Sequence, residues 1–172
     1  MADLTLAGLT RQAIKVRGNS LTMRFPEAAS QSFVVGDFVL INSGGQVAIA
    51  ATAGNSLDST GSNLIGRARE AASGTTNTLI ECEVCTADTE YLLPAYHATP
   101  ASAVSAYTNN DTVCTLINET TGSWMVDIGT TTNGILAIME VAGSYDGNEL
   151  NVGGVYNPHW CKVNSAGRFY KD

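Results

Sequence analysis

The chain has 172 residues, a formal net charge of −7, 44% hydrophobic residues and only 15% charged ones. A chain of that length buries roughly 70% of the surface its unfolded form exposes, so it needs no metal or disulfide to stay folded, and its apolar content is too high for a disordered protein. The acidic balance argues against nucleic acid as the main partner, and no apolar run approaches the roughly 20 residues of a membrane-spanning helix.

In chain order, residues 1–24, "MADLTLAGLTRQAIKVRGNSLTMR", set Leu4, Leu6, Leu9, Ile14 and Val16 among basic and polar positions. Neither a period of two nor one of 3.6 is sustained, which predicts an extended arm with at most one short strand. Arg11, Lys15, Arg17 and Arg24 against Asp3 give this arm +3, whereas Glu70 to Cys161 holds no Lys or Arg and sums to −11. The arm lacks the apolar core of a signal peptide, so synthesis and folding in a cytoplasm are expected.

"FPEAASQS" (25–32) reads as a turn or a single helical turn. "VVGDFVLINSGGQVAIA" (34–50) reads as a hairpin across Ser43-Gly44-Gly45 whose only charge is Asp37. "ATAGNSLDSTGSN" (51–63) is a long polar loop. "LIGRAREAASGTTNTLIECEVCT" (64–86) gives strand, loop and strand, with Ser73 to Asn77 as the connection. Near Asp88 a second part begins. "TEYLLPAY" (89–96) is a strand interrupted at Pro94, hence an edge or a strand end. "HATPASAVSAYTNND" (97–111) is a linker in which Ala101–Tyr107 has room for a short helix. "TVCTLINE", "GSWMVDIG", "NGILAIMEVAG" and "NELNVGGVY" follow as strands, separated by Thr121-Gly122, Asn133-Gly134 and Asp146-Gly147. Short strands at roughly ten-residue spacing predict a mostly β protein, a small β-barrel or β-sandwich with no helix beyond about two turns. The expected division is an extended N-terminal arm at 1–24, a first β-module at 25–88 and a second at 89–172.

The chemistry-bearing residues are few. Cys82 and Cys85 form a C-x-x-C, with Cys114 and Cys161 elsewhere. They sit in "TLIECEVCT", which alternates like a strand, so positions three apart point to opposite faces and do not share a metal. Buried free thiols are expected, with no metal and no cofactor. His97 lies next to the Pro100 loop and His159 follows Pro158, so both are expected to be exposed. A His159–Cys161 dyad is two neighbours on one strand face rather than a nucleophile and its base. Glu81 and Glu83 are expected to form a solvated outward face, with Ile80, Cys82 and Val84 turned inward. Tyr145, Tyr156, Trp160, Phe169 and Tyr170 crowd the last 28 residues, as a plug for a barrel end, a sugar-binding platform or a subunit interface.

Three segments carry a family likeness. "FVVGDFVLINSGGQVAIA" has the spacing of a Phe, a Gly-Asp pair, alternating Val and Ile, and a Gly-Gly turn; "LIGRAREAASGTTNTLIECEV" follows it, and "TTGSWMVDIGTTTNGILAIMEV" is similarly rich in Thr and Gly. With the N-terminal arm, they resemble the small capsid-decorating, or cement, proteins of tailed bacteriophages. The resemblance implies a β-barrel or sandwich seated as a homo-oligomer, trimer favoured over dimer, on the exterior of an icosahedral shell. It implies no enzymatic activity, the major capsid protein as partner, no nucleic acid or membrane partner, and location in the virion after assembly in a bacterial cytoplasm. The arm would add a strand to a capsid subunit, which makes Leu4, Leu6, Leu9, Arg11, Ile14, Lys15 and Arg17 the candidate contact residues. The long second part departs from that pattern. A carbohydrate- or receptor-binding domain of a phage fibre or spike is the alternative, motivated by the terminal aromatics, and an esterase- or peptidase-like enzyme is the third reading.

Overall fold

Strand-forming residues dominate the observed architecture as they dominate the sequence. The computed structural model describes residues 16–58, 63–99, 112–141, 144–145, 148–149, 156 and 158–164, and among them every regular element is a strand. These are β1 (Val16–Arg17), β2 (Ser20–Pro26), β3 (Phe38–Ile41), β4 (Val47–Ile49), β5 (Asn55–Leu57), β6 (Leu64–Ala68) and β7 (Leu79–Cys85). They continue as β8 (Glu90–Tyr96), β9 (Val113–Asn118), β10 (Trp124–Asp127), β11 (Leu136–Val141), β12 (Ser144–Tyr145), β13 (Asn148–Glu149) and β14 (Pro158–Val163). Ala101–Tyr107 lies outside the described residues.

Two sheets carry the fold. In the first, β2, β7, β6, β3 and β4 lie side by side, and a bridge from Glu27 to Val47 joins its two outer strands at one end. In the second, β8, β10, β9, β11 and β14 follow one another, and β14 pairs back onto β8, which closes a five-strand barrel. All barrel pairings are antiparallel except β8 with β10. Two strands from the first part of the chain join this barrel, β1 beside Glu90 and Tyr91 and β5 beside Leu116 to Asn118. Asp88 lies in the turn between β7 and β8, and β1, β5 and a shared core join the strands on either side of it.

The core explains why several strands are apolar on both faces. Val39, Ile65, Cys82 and Val84 pack inside the first sheet with Phe25, Phe33 and Ile80. Their sequence neighbours Phe38, Leu64 and Cys85 turn the other way, into a cluster with barrel residues Tyr91, Leu93, Leu116, Trp124 and Ile138. Phe38 meets Tyr91 at 4.9 Å and Trp124 at 5.3 Å between ring centres, both edge to face. Each such pair adds about 0.5–1.5 kcal/mol beyond simple burial. A strand between two apolar layers must read as a continuous hydrophobic run.

The turns are held by side chains. Asn42 Oδ1 accepts from the Gly44 and Gln46 amides, and Gly45 takes a φ of +76° in the β3–β4 hairpin. Thr121-Gly122 turns as expected, with Gly122 at φ +79° donating to Asn118 Oδ1. Asn133-Gly134 differs. It is part of an eight-residue connection between β10 and β11, and a Cβ on Gly134 would lie 2.5 Å from the Cys114 amide nitrogen. Glycine is there because β9 passes close by, not because a tight hairpin needs it. Pro94 does not end a strand either. It lies opposite Pro158, and falls between the β1 pairing at Glu90–Tyr91 and the β10 pairing at Ala95–Tyr96, where no N–H is called upon. The polar loop 51–63 hides β5, whose short "NSL" has no alternation to show.

Glu27 is fully buried and clamps the "SGTTN" turn, accepting from the Ser73 amide at 2.9 Å, the Ser73 hydroxyl at 2.6 Å and the Gly74 amide at 2.8 Å. Burial pushes the carboxyl up, but the hydrogen bonds together outweigh it and hold it below its ordinary 4.5. A carboxyl depressed in the folded state stabilises fully above its unfolded value, and that stabilisation is lost as pH falls through the folded value. Denaturant midpoints measured from pH 7 down to pH 3 should therefore drop below about pH 4.5. In Glu27→Gln the unfolding free energy at pH 7 should be about 1–2 kcal/mol lower, and the midpoint should fall less steeply with pH. Parallel curves would refute the clamp.

Candidate functional site

Of the residues expected to meet a shell, Leu4, Leu6, Leu9, Arg11, Ile14 and Lys15 lie outside the described residues. Arg17 is described, and it is already engaged. Within the expected arm at 1–24, Val16–Arg17 and Ser20–Pro26 are paired strands of the body, and residues 1–15 lie outside the described residues. Both short pieces break the helical and strand periods through Gly18, which sits at φ +81° against the Asp88 carbonyl. Residues 16–24 thus belong to two strands in different sheets, and no single period runs through them.

On β1, Arg17 lies directly opposite Glu90 of β8. Its Nε donates to Glu90 Oε2 at 2.6 Å and a terminal nitrogen to Glu140 Oε1 at 2.5 Å. The guanidinium also stacks 4.3 Å from the centre of the Trp160 ring. Glu90, Glu140 and Trp160 come from β8, β11 and β14, so one cation ties three barrel strands to the root of the N-terminal segment. The Arg17 side chain is 41% exposed, so each ion pair contributes only about 0.2–1 kcal/mol and the ring contact about 0.5–1. Trp160 points outward here rather than plugging the barrel, and a sugar stacking on this face would have to displace Arg17. Among the described members of the aromatic set, Tyr156 is buried. Phe169 and Tyr170 lie outside the described residues, and the Tyr145 side chain is not described.

The remaining candidates resolve into structural roles. Cys82 and Cys85 face the two different cores, as strand alternation requires. All four cysteines are buried free thiols. Burial pushes Cys82 and Cys114 up to about 12 and Cys161 well above its ordinary value. No set of three or more His, Cys, Asp or Glu side chains among the described residues is placed to hold a metal. His159 is fully buried, contrary to expectation, because β14 turns it inward with Cys161 and Val163. Burial lowers its imidazole to about 4, so it is neutral at pH 7. A neutral His beside a thiol held fully protonated is the reverse of a thiolate–imidazolium pair. His97 is half-buried, its Nδ1 accepting from the Thr99 amide.

Glu83 is buried, not solvated. It faces the barrel side of β7, bonded to Arg67 at 3.1 Å beneath the Tyr91 ring, while Glu81 pairs with Arg69 at 3.3 Å. Each carboxylate thus has its own arginine across the β6–β7 pairing.

Two polar groups carry more than the sequence suggested. Asp37 is buried between the sheets, its carboxylate accepting from the Val34 amide at 2.9 Å and from Trp124 Nε1 at 2.9 Å. Its signal was visible as the single charge in an apolar hairpin. Tyr96 is hydrogen-bonded to Glu119, with Asp127 and Tyr156 nearby. Burial, then the two carboxylates, raise the Tyr96 phenol, which therefore acts as a neutral donor. Residues from three separate segments meet there, which no local pattern signals. Comparison of the chain with family profiles, curated proteins and solved structures finds no match.

Proposed function

We propose that this chain is a structural virion protein that binds the exterior of an assembled icosahedral phage shell and stabilises it. The observation that carries the reading is the use made of the segments resembling cement proteins. Asp37 of the hairpin, Arg67 of "LIGRAREAASG" and Glu83 of "LIECEV" are joints between strands and sheets. Glu27 and Ser73 hold the turn between them. A body built of such joints is a rigid plug, and its low-charge surface suits burial between subunits. The major capsid protein is the partner, and the chain acts as a homo-oligomer. The basic residues Arg11 and Lys15, ahead of a body carrying −11 between Glu70 and Cys161, are its electrostatic lead toward an acidic shell surface.

The test is co-sedimentation of the full chain, and of a chain lacking residues 1–15, with assembled shells and with free major capsid protein. This cut spares β1 and β2, which a deletion of 1–24 would remove. The full chain should pellet with shells and not with free subunits. The shortened chain should bind at least about tenfold more weakly, a loss of about 1.4 kcal/mol. Failure of the full chain to bind shells would overturn the reading, and equal binding by both would remove the N-terminal segment from it.

A further inference from the structure

The chain has a single Asn-Gly pair, Asn133-Gly134, and the fold leaves its carboxamide uncovered. An asparagine loses its side-chain amide when the backbone nitrogen of the next residue reaches its Cγ. Glycine permits that approach best, because no Cβ stands in the way. Serine, a small obstacle, follows Asn19, Asn42, Asn55 and Asn164. Three of these side chains are held. Asn42 Oδ1 accepts from the Gly44 and Gln46 amides, Asn55 Nδ2 donates to Thr52 Oγ1, and Asn164 Nδ2 donates to the Gly134 carbonyl. Asn133 is exposed, and no hydrogen bond among the described residues holds its side chain.

The two halves of the pair sit differently. Asn133 lies at the surface of the β10–β11 connection, with a φ of +53°. Gly134 is buried, and a Cβ on it would lie 2.5 Å from the Cys114 amide nitrogen and 2.6 Å from the Val113 carbonyl carbon. Its carbonyl accepts from the Asn164 side chain, and the next carbonyl, that of Ile135, accepts from the Asn164 amide at 2.9 Å. Asn164 directly follows Val163, the last residue of β14, the strand that closes the barrel. A free carboxamide thus precedes backbone that is docked both on β9 and on the end of β14.

We propose that Asn133 is a site of spontaneous covalent modification, and that its product slackens the docking of Gly134 and Ile135. The Gly134 nitrogen attacks Asn133 Cγ and gives up its proton. A new C–N bond forms, the bond from Cγ to the side-chain nitrogen breaks, and ammonia leaves. Water then opens the resulting five-membered imide at either carbonyl. Opening at one carbonyl gives aspartate. Opening at the other gives isoaspartate, in which the main chain runs through the former side chain and is one methylene longer. Either product adds one negative charge to the chain's −7. The added methylene falls immediately before a residue with β9 against it and Asn164 bonded to it, so the docked carbonyls must shift. Docking also restrains the attack, and the folded chain converts more slowly than the unfolded one. This goes beyond the shell-binding reading and does not rest on it.

The test ages the full chain at mildly alkaline pH, folded and in parallel in urea, with peptide mapping that separates the two products. In the folded chain Asn133 should be the first asparagine converted, to both products, and in urea it should convert faster still. The isoaspartyl form, purified from the aged sample, should melt about 2–4 °C below the unmodified chain. Asn133→Asp, which has the charge but an ordinary backbone, should melt within about 1 °C of it. Earlier conversion of another asparagine would overturn the site, as would an intact Asn133 in the folded chain once the unfolded chain has converted. Equal melting of the isoaspartyl form and Asn133→Asp would overturn the slackening.

Discussion

Replacing Asp37 with Ala is expected to lower the folding free energy by about 3–4 kcal/mol, measured by equilibrium urea unfolding. Two hydrogen bonds to a buried carboxylate are lost, each contributing about 1.5–3 kcal/mol, and the Trp124 N–H is left without an acceptor in an apolar layer. The orphaned donor makes the expectation specific. In Asp37→Ala/Trp124→Phe donor and acceptor go together, so the second substitution should cost less than it does alone, by at least about 1 kcal/mol. Simple additivity, or a single-variant loss below about 1 kcal/mol, would mean that this pair does not join hairpin to barrel.

Gly66→Ala should be at least as damaging, with a loss of about 3–5 kcal/mol or failure to give soluble protein. Gly66 has a φ of +143°, and a Cβ there would sit 2.1 Å from the Glu83 carbonyl oxygen, 3.1 Å from the Cys85 amide nitrogen and 3.0 Å from the Tyr91 hydroxyl. Two of those atoms are backbone, held by the β6–β7 ladder, so β6 must move away from β7. That movement would pull Arg67 from Glu83. Gly44→Ala is the control, because its nearest neighbours are the tips of Asn42 and Gln46. Thermal melts should show that control within about 3 °C of the unmodified chain. Similar melting of both variants would contradict the geometric argument.

The strands were legible wherever apolar residues ran through β3, β6, β7 and β9 to β11, because β-branched and aromatic residues form the pleated layers. Even the crossing of Cys82 and Cys85 to different cores followed from a period of two. What stayed hidden depended on distant partners. Glu83 looks like a surface charge until Arg67 lies opposite it and Tyr91 covers it. His159 looks exposed beside Pro158 until β14 is found closing the barrel against β8. Pro94 looks like a strand end until Pro158 lies opposite. Arg17 looks like part of a free arm until Glu90, Glu140 and Trp160, which lie 73 to 143 residues on, gather around it. In each case local pattern determined the strand, and pairing across the barrel determined the role of its side chains.

The pairing of β14 with β8 also sets a timetable. The first sheet is complete once Cys85 has been made, whereas the barrel has its fifth strand only at Val163, 78 residues later. At roughly 5–20 residues per second, that delay is about 4–16 s. Until that closure the barrel layer over Phe38, Leu64 and Cys85 is incomplete, so the half-made chain presents apolar surface to whatever is near. The closing contact joins segments some 64 residues apart, as in Pro94 and Pro158, which places the final step among the slow, loop-closing kind. Dilution and time, more than intrinsic stability, should then govern how much of the protein reaches its final form.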